Sequence, residues 1–578
     1  MNFKLILRTL WKDRFYTLLN ILGLAVGIAM VLLTFLYIQS ELTYDLHYSQ
    51  NERIYRVGTR FERSNEIDQY ALSGSGMAEL IQAEYPEIEK ATSITFRSQR
   101  LLYRYGEKSF YLDDVLTADS MVFEIFDPEF IVGNPETAMD GPDKLVLQAS
   151  VARRFFGDED PLGKIIRMNE RDLEVTGVFK DLPENTHLKY SGLISRPRDP
   201  QTDEYSVGRR LWMVGRYTYI LLQKGSTIES IEAKLQTFVD KYSNQEGADQ
   251  FLVKPIFEPL AAIHFQSDLP YDQPHGNMNY IYAFFVVGCL ILLLAAINYI
   301  NLTTARAANR AKEVGIKKVV GVSRWELIAF FLGESLVITL LAMLLALSLV
   351  HLLFQLPSIS LLLDKNLTLD LWSNPVLAPG ILVLTLVLSF LAGIYPAFYL
   401  SGLQPIGTLK GTFKTSRSGL LLRRVLVVFQ FVISIGVVTL TLLMIQQIDF
   451  LRNKDLGFQK ENLMTIPLSS QALRNKMALI SDALRNHPQV LGVSSAQQVP
   501  GLKTDRLNRE IDTPSGLQSE TFNYLVVGYD YLETMQMDVV AGRDFARERG
   551  TDGEEAWIVN EAFAKHYGWE DPLGKRFL

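Results

Sequence analysis

The pentapeptide Asp-Pro-Leu-Gly-Lys occurs twice, at 160–164 and 571–575, and a loop that ends in Gly-Lys can bind phosphate. A phosphate-binding loop needs the pattern Gly-x-x-x-x-Gly-Lys-Ser/Thr, in which backbone N–H groups surround the phosphates and a hydroxyl contacts Mg²⁺. Here five residues separate Gly157 from Gly163, and Ile165 stands where the hydroxyl is required. We therefore predict a Pro-Leu-Gly turn that leads into a strand, and no nucleotide-binding site on this chain.

Other side chains that commonly carry catalysis or bind metals are scattered. The seven histidines are His47, His187, His264, His275, His351, His487 and His566. None has a metal-binding spacing, so we expect ordinary surface or loop positions. The single cysteine, Cys289, excludes an intrachain disulfide and a cysteine metal cluster. A net charge of −7 over 578 residues gives no basic field for nucleic acid, and we expect no catalytic residue, cofactor or metal.

The basic segment 305–326 is the most informative part of the sequence. Ser323 and Glu326 have the spacing of a capping box just before an apolar run, and Gly321 can end a preceding helix in the left-handed conformation. We predict a short helix, a tight turn and a long helix. A loop that only fixes membrane topology would carry similar charge. A mixed face instead favours docking of a cytoplasmic partner, and its expected members are Val314, Ile316 and Val319 with Lys312, Lys317 and Lys318.

Glu334 interrupts an apolar run, about two helical turns and roughly 10 Å beyond Leu327. A charge at mid-membrane costs about 2.5–3.5 kcal/mol on insertion scales, and less near the interface. We expect Glu334 to pair with a Lys or Arg of the basic segment. A switch at the membrane interface is the alternative.

Five stretches are long and apolar enough to span a membrane, since a helix needs about 20 apolar residues to cross. They are 15–40, 280–300, 327–355, 376–400 and 425–448. The first follows a basic N-terminus, as a signal peptide does, but its uncharged run is too long for an apolar core of about 7–15 residues. We therefore predict an uncleaved anchor.

Charge predicts the orientation of the spans. The segments 1–16, 305–325 and 401–424 together hold fifteen Lys and Arg but two acidic residues, which places them in the cytoplasm. The predicted organisation is a cytoplasmic N-terminus (1–16), transmembrane helices at 17–40, 278–304, 327–355, 376–400 and 425–448, external domains at 41–277 and 449–578, a cytoplasmic coupling loop at 305–326, an external turn at 356–375 and a cytoplasmic linker at 401–424.

The external domains form an internal repeat. Strand-like runs such as 173–180 alternate with helical stretches such as 228–242 in the first, which predicts an α+β domain. Besides the shared pentapeptide, 120–127 resembles 531–538. The second copy stops at a point equivalent to about residue 167 of the first. We therefore expect a C-terminally truncated fragment of a chain of roughly 811 residues with three further spans.

Four motifs carry a family resemblance. They are Tyr-Asp-x-His with Arg-Ile-Tyr-Arg-Val (44–57), Val-Thr-Gly-Val with Asp-Leu-Pro-Glu-Asn-Thr-His (175–187), Asn-Leu-Thr-Thr-Ala-Arg (301–306) and the basic run 310–323. Together they resemble the MacB/FtsX-type ABC-transporter permeases, especially the long, duplicated members common in Bacteroidetes-like bacteria. The resemblance covers essentially the whole chain, although the C-terminal spans of that family are missing.

The resemblance implies a multi-pass α-helical membrane protein with an FtsX-like bundle and α+β MacB-like periplasmic core domains. It implies an inner-membrane location with the N-terminus in the cytoplasm and the large domains in the periplasm. The implied partners are a separate cytoplasmic ABC ATPase that binds the ATP, the lipid bilayer, a second permease copy, and a periplasmic adaptor with an outer-membrane factor. The residues implied to couple to the ATPase are Arg310, Lys312, Glu313, Val314, Gly315, Ile316, Lys317, Lys318, Gly321 and Ser323.

We therefore expect a non-enzymatic permease subunit of an efflux or mechanotransmission complex, exporting a drug, peptide or lipid-linked molecule. An FtsX-like scaffold that activates an extracytoplasmic hydrolase and a lipoprotein-releasing permease stay open as alternatives. A conduit for polar cargo should carry several ionisable groups inside the membrane, and the sequence places one there, Glu334. The spans are thus expected to act as levers while cargo is handled outside.

Overall fold

The computed structural model describes residues 3–62, 67–96, 101–112, 114–196, 211, 214–242, 252–305, 307–359, 365, 367–371, 374–402, 417–468, 471–499, 501 and 505–578. The predicted cytoplasmic linker 401–424 lies mostly outside these residues. The chain divides into two compact units, Met1–Thr441 and Leu442–Leu578.

The first unit holds the long helices. Its helices are α1 (Phe3–Lys12), α2 (Arg14–Leu42), α3 (Met77–Glu84), α4 (Val122–Phe126), α5 (Ala149–Phe156), α6 (Ile228–Glu232), α7 (Leu235–Tyr242), α8 (Leu260–Gln266), α9 (Met278–Ala305), α10 (Ala307–Val319), α11 (Arg324–Phe354), α12 (Leu377–Ser401) and α13 (Arg417–Asn453), the last of which continues into the second unit.

Five of these helices, α2, α9, α11, α12 and α13, are long and apolar enough to cross a membrane. The first four pack as a bundle, whose core includes Leu32, Ile338 and Leu388. Small residues allow close approach: a Cβ added at Gly27 of α2 would lie 2.8 Å from the Cβ of Ala295 on α9. Such contacts suit membrane helices, which associate by close packing rather than by escaping water.

A short helix that we did not predict precedes the bundle. α1 buries Ile6 and Leu10, whereas Trp11 of α1 and Phe15 at the start of α2 are each 80% exposed. Between α1 and α2 the chain turns at Asp13. The basic N-terminus is therefore a helix packed on the bundle.

The region between α2 and α9 contains a fourteen-stranded mixed sheet. Its strands are β1 (Ile54–Glu62), β2 (Ile67–Tyr70), β3 (Ser73–Gly74), β4 (Ile88–Thr95), β5 (Leu101–Tyr105), β6 (Lys108–Leu112), β7 (Val115–Ala118), β8 (Phe130–Gly133), β9 (Lys144–Gln148), β10 (Ile165–Met168), β11 (Arg171–Phe179), β12 (Gly192–Ser195), β13 (Val214–Leu222) and β14 (Leu252–Pro259). The main order is β14-β1-β13-β4-β7-β12-β9-β11-β10-β5-β6. Outside this order, β2 pairs with β1, β3 with β13 and β8 with β11.

Both faces of this sheet are covered near β13. Residues 217–222 of β13 are buried without alternation, as expected for a strand with helices on both faces. Tyr219 joins a core with α4 and α8, and the next residue, Ile220, joins a core with α3 and α7 on the opposite face. The predicted fold class is confirmed: an α-helical membrane bundle carries an α+β domain.

The second unit holds α14 (Gln471–Arg474), α15 (Met477–Arg485), β15 (Asp505–Thr513), β16 (Gly516–Tyr524), α16 (Tyr531–Met535) and α17 (Glu561–His566). Its pentapeptide repeats the local geometry of the first copy. The N–H of Leu162 donates to Asp160 Oδ1 at 3.1 Å, and that of Leu573 to Asp571 Oδ1 at 3.0 Å.

The glycine of each pentapeptide has a positive φ, +71° at Gly163 and +75° at Gly574. In the first copy this turn leads directly into β10, so the predicted turn before a strand is confirmed there. Lys164 of this turn pairs with Glu159 and lies near the Tyr105 ring.

The packing at Gly27 predicts a large effect of a bulky residue. Gly27→Ile should lower the free energy of unfolding by about 1–3 kcal/mol, because the side chain must force α2 away from α9. Gly436→Ile on α13 is the matched control, since within the described residues no atom lies within 4 Å of its added Cβ. Thermal unfolding of the full chain in detergent measures both, and equal stability of the two variants would contradict the packing argument.

Candidate functional site

The basic segment 305–326 forms the short helix, the tight turn and the start of the long helix that the sequence predicted. α10 ends at Val319, Gly321 follows with φ +100°, and the N–H of Val322 donates to the carbonyl of Lys317 at 3.0 Å. Ser323 Oγ then accepts from the N–H of Glu326 at 3.3 Å, and Glu326 Oε2 accepts from the N–H of Ser323 at 2.8 Å. The capping box that starts α11 is confirmed, and it fixes the turn between α10 and α11.

Arg310 is the partner of Glu334. Its Nη1 donates to Glu334 Oε2 at 2.7 Å and its Nη2 to Oε1 at 2.6 Å, and the two side chains are 9% and 4% exposed. Burial disfavours the charged form of Arg310, but the hydrogen bonds and charge of Glu334 outweigh this and raise its pKa. The predicted pairing of Glu334 is present in the structure, whereas a switching role stays a prediction.

Polar side chains of α2 and α9 surround this pair. Tyr16 Oη donates to Thr303 Oγ1 at 2.8 Å, and Thr303 donates in turn to the carbonyl of Tyr299 at 2.8 Å. Tyr299 and Asn301 are buried beside them. The ion pair thus lies where α2, α9, α10 and α11 meet.

The ten residues implied to couple to an ATPase divide between two faces of α10 and its turn. Arg310, Val314 and Gly315 face the bundle, and Val314 packs in a cluster with Leu327 and Leu400. The prediction that Val314 shares a face with Ile316 and Val319 is wrong, because the helical repeat turns it inward. Of the other seven, Lys317 and Lys318 are intermediate, and the exposed ones are Lys312, Glu313, Ile316, Gly321 and Ser323. The neighbouring Val319 and Val320 are exposed as well.

Side contacts hold α10 further. Lys317 Nζ lies 3.9 Å from the centre of the Phe330 ring, and its burial lowers the pKa of this lysine. Glu313 Oε1 lies 3.4 Å from Lys12 Nζ of α1, an exposed pair of small energetic weight. The outward surface that remains is apolar at Ile316, Val319 and Val320.

A second polar network joins the outer end of α2 to the sheet domain. Asp45 is fully buried with φ +59°, and its Oδ2 lies 2.9 Å from His187 Nδ1. Asp45 Oδ1 accepts from Thr186 Oγ1 at 2.9 Å, and His187 Nε2 lies 2.7 Å from Tyr219 Oη. Burial alone would raise the pKa of Asp45, but the His187 ring and these hydrogen bonds lower it.

Arg56 anchors the segment that enters α9. Its side chain is fully buried, with Nη1 2.5 Å from Asp272 Oδ2 and Nη2 2.6 Å from Glu258 Oε2. His275 Nε2 lies 3.2 Å from the same Asp272 oxygen. The two connections between the sheet domain and the bundle, after α2 and before α9, are therefore each held by a buried charged side chain.

Sequence reasoning missed these outer residues. We expected ordinary surface or loop histidines, but His187 and His264 are 7% and 6% exposed, and each contacts a carboxylate, Asp45 and Glu41 respectively. Asp45, Arg56 and His187 did stand in the motifs that carried the resemblance. Their joint role was hidden because the Asp45–His187 contact spans 142 positions in the sequence.

Comparison with known proteins adds two family matches. The family described as MacB-like periplasmic core domain matches residues 17–238, and the FtsX-like permease C-terminal family matches residues 285–405. The first match includes Asp45, Arg56 and His187 but ends before Asp272, and the second includes α10 and the ion pair.

Individual relatives are distant. The chain is 26% identical over 275 residues to the macrolide export ATP-binding/permease protein MacB of Bdellovibrio bacteriovorus, covering 46% of this chain and 38% of that protein. It is 22% identical over 198 residues to the ABC transporter permease YknZ of Bacillus subtilis, covering 34% of this chain and 45% of that one. The chain thus spans less than half the length of either relative.

Two solved structures are also similar. A domain of a permease protein from Porphyromonas gingivalis matches with a TM-score of 0.32 and 20% identity, covering 41% of this chain and 98% of that one. The periplasmic region of MacB from Actinobacillus actinomycetemcomitans matches with a TM-score of 0.24 and 15% identity, covering 35% and 88%.

The outer network predicts a pH-dependent stability. Asp45→Asn should lower the free energy of unfolding at pH 7 by about 1–3 kcal/mol, because a buried set of hydrogen bonds loses its charged acceptor. The lowered pKa means that Asp45 stabilises the fold above its unfolded pKa of about 3.9, and that this contribution is lost as pH falls through the folded pKa. The difference between wild type and variant should therefore shrink below about pH 4.

Denaturant unfolding of the full chain in detergent, followed by tryptophan fluorescence, measures this difference. Asp172→Asn is the matched control, since Asp172 forms an exposed pair with Arg167 at 3.3 Å and should change stability by less than about 1 kcal/mol. An Asp45→Asn variant as stable as the control at pH 7 would show that the network does not hold the junction.

Proposed function

The chain belongs to the MacB/FtsX-type ABC permeases, and we propose that it is the membrane-spanning subunit of a complex in which a separate cytoplasmic ATPase drives movement of the periplasmic domain. The chain itself supplies no catalytic group in this proposal. Its task is to receive force at α10 and to deliver it across the bundle.

The observation that carries the proposal is the buried Arg310–Glu334 pair. It joins α10 to α11 by two hydrogen bonds between side chains that are both buried. A paired guanidinium and carboxylate fix both distance and angle, and separating them there would leave an unpaired buried charge. A displacement of α10 is therefore passed to α11 rather than absorbed by a flexible loop.

The docking surface that we propose for the ATPase is the outward side of α10 and its turn. Ile316, Val319 and Val320 are 55%, 66% and 79% exposed, and Lys312 lies beside them. Exposed apolar residues flanked by charge are typical of protein contacts. The side of α10 that faces the bundle carries Arg310 and Val314, so one helix serves both connections.

Orientation follows from the basic residues. The positive-inside rule supports a cytoplasmic location for α1, α10 and the start of α11. In the proposal the sheet domain therefore lies on the outer side of a bacterial inner membrane. The networks of Asp45 and Arg56 attach that domain to α2 and α9. These attachments support levers that move the domain, with cargo handled outside or at the outer leaflet.

Efflux is the role that we favour for the whole complex. The chain is similar to a protein named for macrolide export, which supports this choice. The proposed cargo is a drug, a peptide or a lipid-linked molecule. A second permease copy, a periplasmic adaptor and an outer-membrane factor complete the proposed assembly.

If α10 docks the ATPase, acidic substitutions on its exposed apolar residues should weaken binding. Ile316→Asp/Val319→Asp should reduce co-purification of the ATPase with the full chain at least about tenfold, since burial of one such side chain contributes about 1.5–3 kcal/mol and 1.4 kcal/mol is a factor of ten. Ile131→Asp on β8 is the matched control, because Ile131 is 57% exposed on the sheet domain. A folded double variant that retains the ATPase at the control's level would refute this docking surface.

If the ion pair links α10 to α11, removing it should affect both stability and the transmission of motion. Arg310→Met should destabilise the chain by about 3–5 kcal/mol, because Glu334 is left buried without a partner, and Arg310→Met/Glu334→Met should recover most of that loss. The double variant should still bind the ATPase but should not transmit its motion, since α10 is no longer fixed to α11.

Transmission is measured as the change between ADP and ATP in the distance from a spin label at Ser109→Cys on the sheet domain to one at Phe398→Cys near the C-terminal end of α12, where Phe398 is 44% exposed, in a Cys289→Ser background. Lys12→Met, which removes the exposed pair to Glu313, is the control and should respond to ATP like the wild type. An undiminished ATP response in the double variant would count against the ion pair as the link.

A further inference from the structure

Four chain segments meet at the outer end of α2, on the carboxylate of Glu41. Glu41 Oε2 lies 2.7 Å from His264 Nε2 of α8, and Glu41 Oε1 accepts from Lys365 Nζ of the external turn. The three side chains are 7%, 7% and 14% exposed. One buried carboxylate thus connects α2, the sheet domain and the turn between α11 and α12.

The fourth segment is the entry to α9. The N–H of Gly276 donates to the carbonyl of His264 at 2.8 Å, and a Cβ at this position would lie 2.4 Å from His264 Nε2 and 2.9 Å from Glu41 Oε2. The chain passes so close to the pair that only glycine fits. Tyr44 stacks on the other side of His264, with ring centroids 3.6 Å apart and planes at 6°.

A separate contact ties the same turn to α2. The side-chain amides of Gln39 and Asn374 exchange two hydrogen bonds, of 3.0 Å and 2.9 Å. Asn374 Oδ1 also accepts from the N–H of Leu377 at 3.2 Å, so it fixes the start of α12. The described turn residues Leu367 and Leu369 pack against the bundle core.

We propose that Glu41, His264 and Lys365 form an outer latch, which makes the external turn and the sheet domain move as one body. The sheet domain would then be driven by α11 and α12 as well as by α2 and α9, to which it is joined in sequence. Glu41 is a positioning residue in this arrangement, since it acts by holding the other two side chains. The proposal rests on the proposed function, because the force that the latch transmits would come from the ATPase.

The physical basis is the shared carboxylate. Each oxygen of Glu41 has one of these partners, so loss of Lys365 removes the cation from Oε1, and loss of His264 removes the ring contact from Oε2. Lys365 Nζ lies 5.2 Å and 5.8 Å from the centres of the Tyr37 and Tyr44 rings, which favour a cation at this position. The turn is therefore held by directional contacts rather than by apolar packing alone.

The test measures the distance between spin labels at Ser109→Cys on the sheet domain and Thr368→Cys on the turn, in the full chain with its ATPase and a Cys289→Ser background. In the wild type we expect a narrow distribution that is the same with ADP and ATP. Lys365→Met should broaden it, and Lys365→Met/Gln39→Leu, which removes both ties, should at least double its width.

Two further variants keep the outcome decisive. Glu41→Gln preserves the shape of the side chain and should also broaden the distribution, which covers the case in which Lys365→Met does not fold. Lys254→Met, which removes the pair between Lys254 and Glu62 on the sheet domain, is the matched control and should leave the width unchanged. Wild-type widths in the Lys365→Met, Lys365→Met/Gln39→Leu and Glu41→Gln variants would overturn the latch.

Failure of the proposed function gives a different result. In that case ATP would not change the Ser109–Phe398 distance in the wild type. The Ser109–Thr368 width would still report whether Lys365 and Glu41 hold the turn to the domain.

Discussion

A charged side chain that is buried in a membrane protein needs an oppositely charged partner. The Arg310–Glu334 pair meets this constraint at the end of the bundle where α10 packs. Without Arg310, the buried charge of Glu334 in α11 would destabilise the fold, and without Glu334 the buried charge of Arg310 in α10 would do the same. Each residue therefore requires the other helix to be in place. This mutual requirement turns a short basic helix, which would be marginal alone, into a fixed part of the bundle.

The outer end follows the same physical logic with different residues. Asp45 with His187, Arg56 with Asp272, and Glu41 with His264 all place buried charges where a membrane helix meets the sheet domain. Apolar packing would permit small sliding or rotation at these junctions, whereas hydrogen bonds to a buried carboxylate favour one distance and angle. The domain is thus attached to α2 and α9 by buried polar contacts at both of its connections.

Between these two ends the bundle is built from small residues and apolar side chains. Gly27 against Ala295 and Gly393 against Ser335 bring helices close enough for backbone contact. Close packing of this kind has few intermediate arrangements, so a displacement at one end shifts whole helices rather than deforming them. Charged joints at the ends and tight apolar packing between them suit a chain that transmits motion.

The sequence by itself determined what depends on neighbours along the chain. Uncharged runs predicted the apolar helices, Gly321 and Ser323 predicted the turn before α11, and strand-like and helical runs predicted an α+β domain, because these signals act over a few residues. The tertiary structure decided which partners meet. Asp45 contacts His187 across 142 positions, and Glu41 contacts His264 across 223. The face of α10 that carries Val314 is buried because it packs against Leu327 and Leu400, which belong to α11 and α12. Burial and pairing are set by contacts between distant segments, which local sequence patterns do not encode.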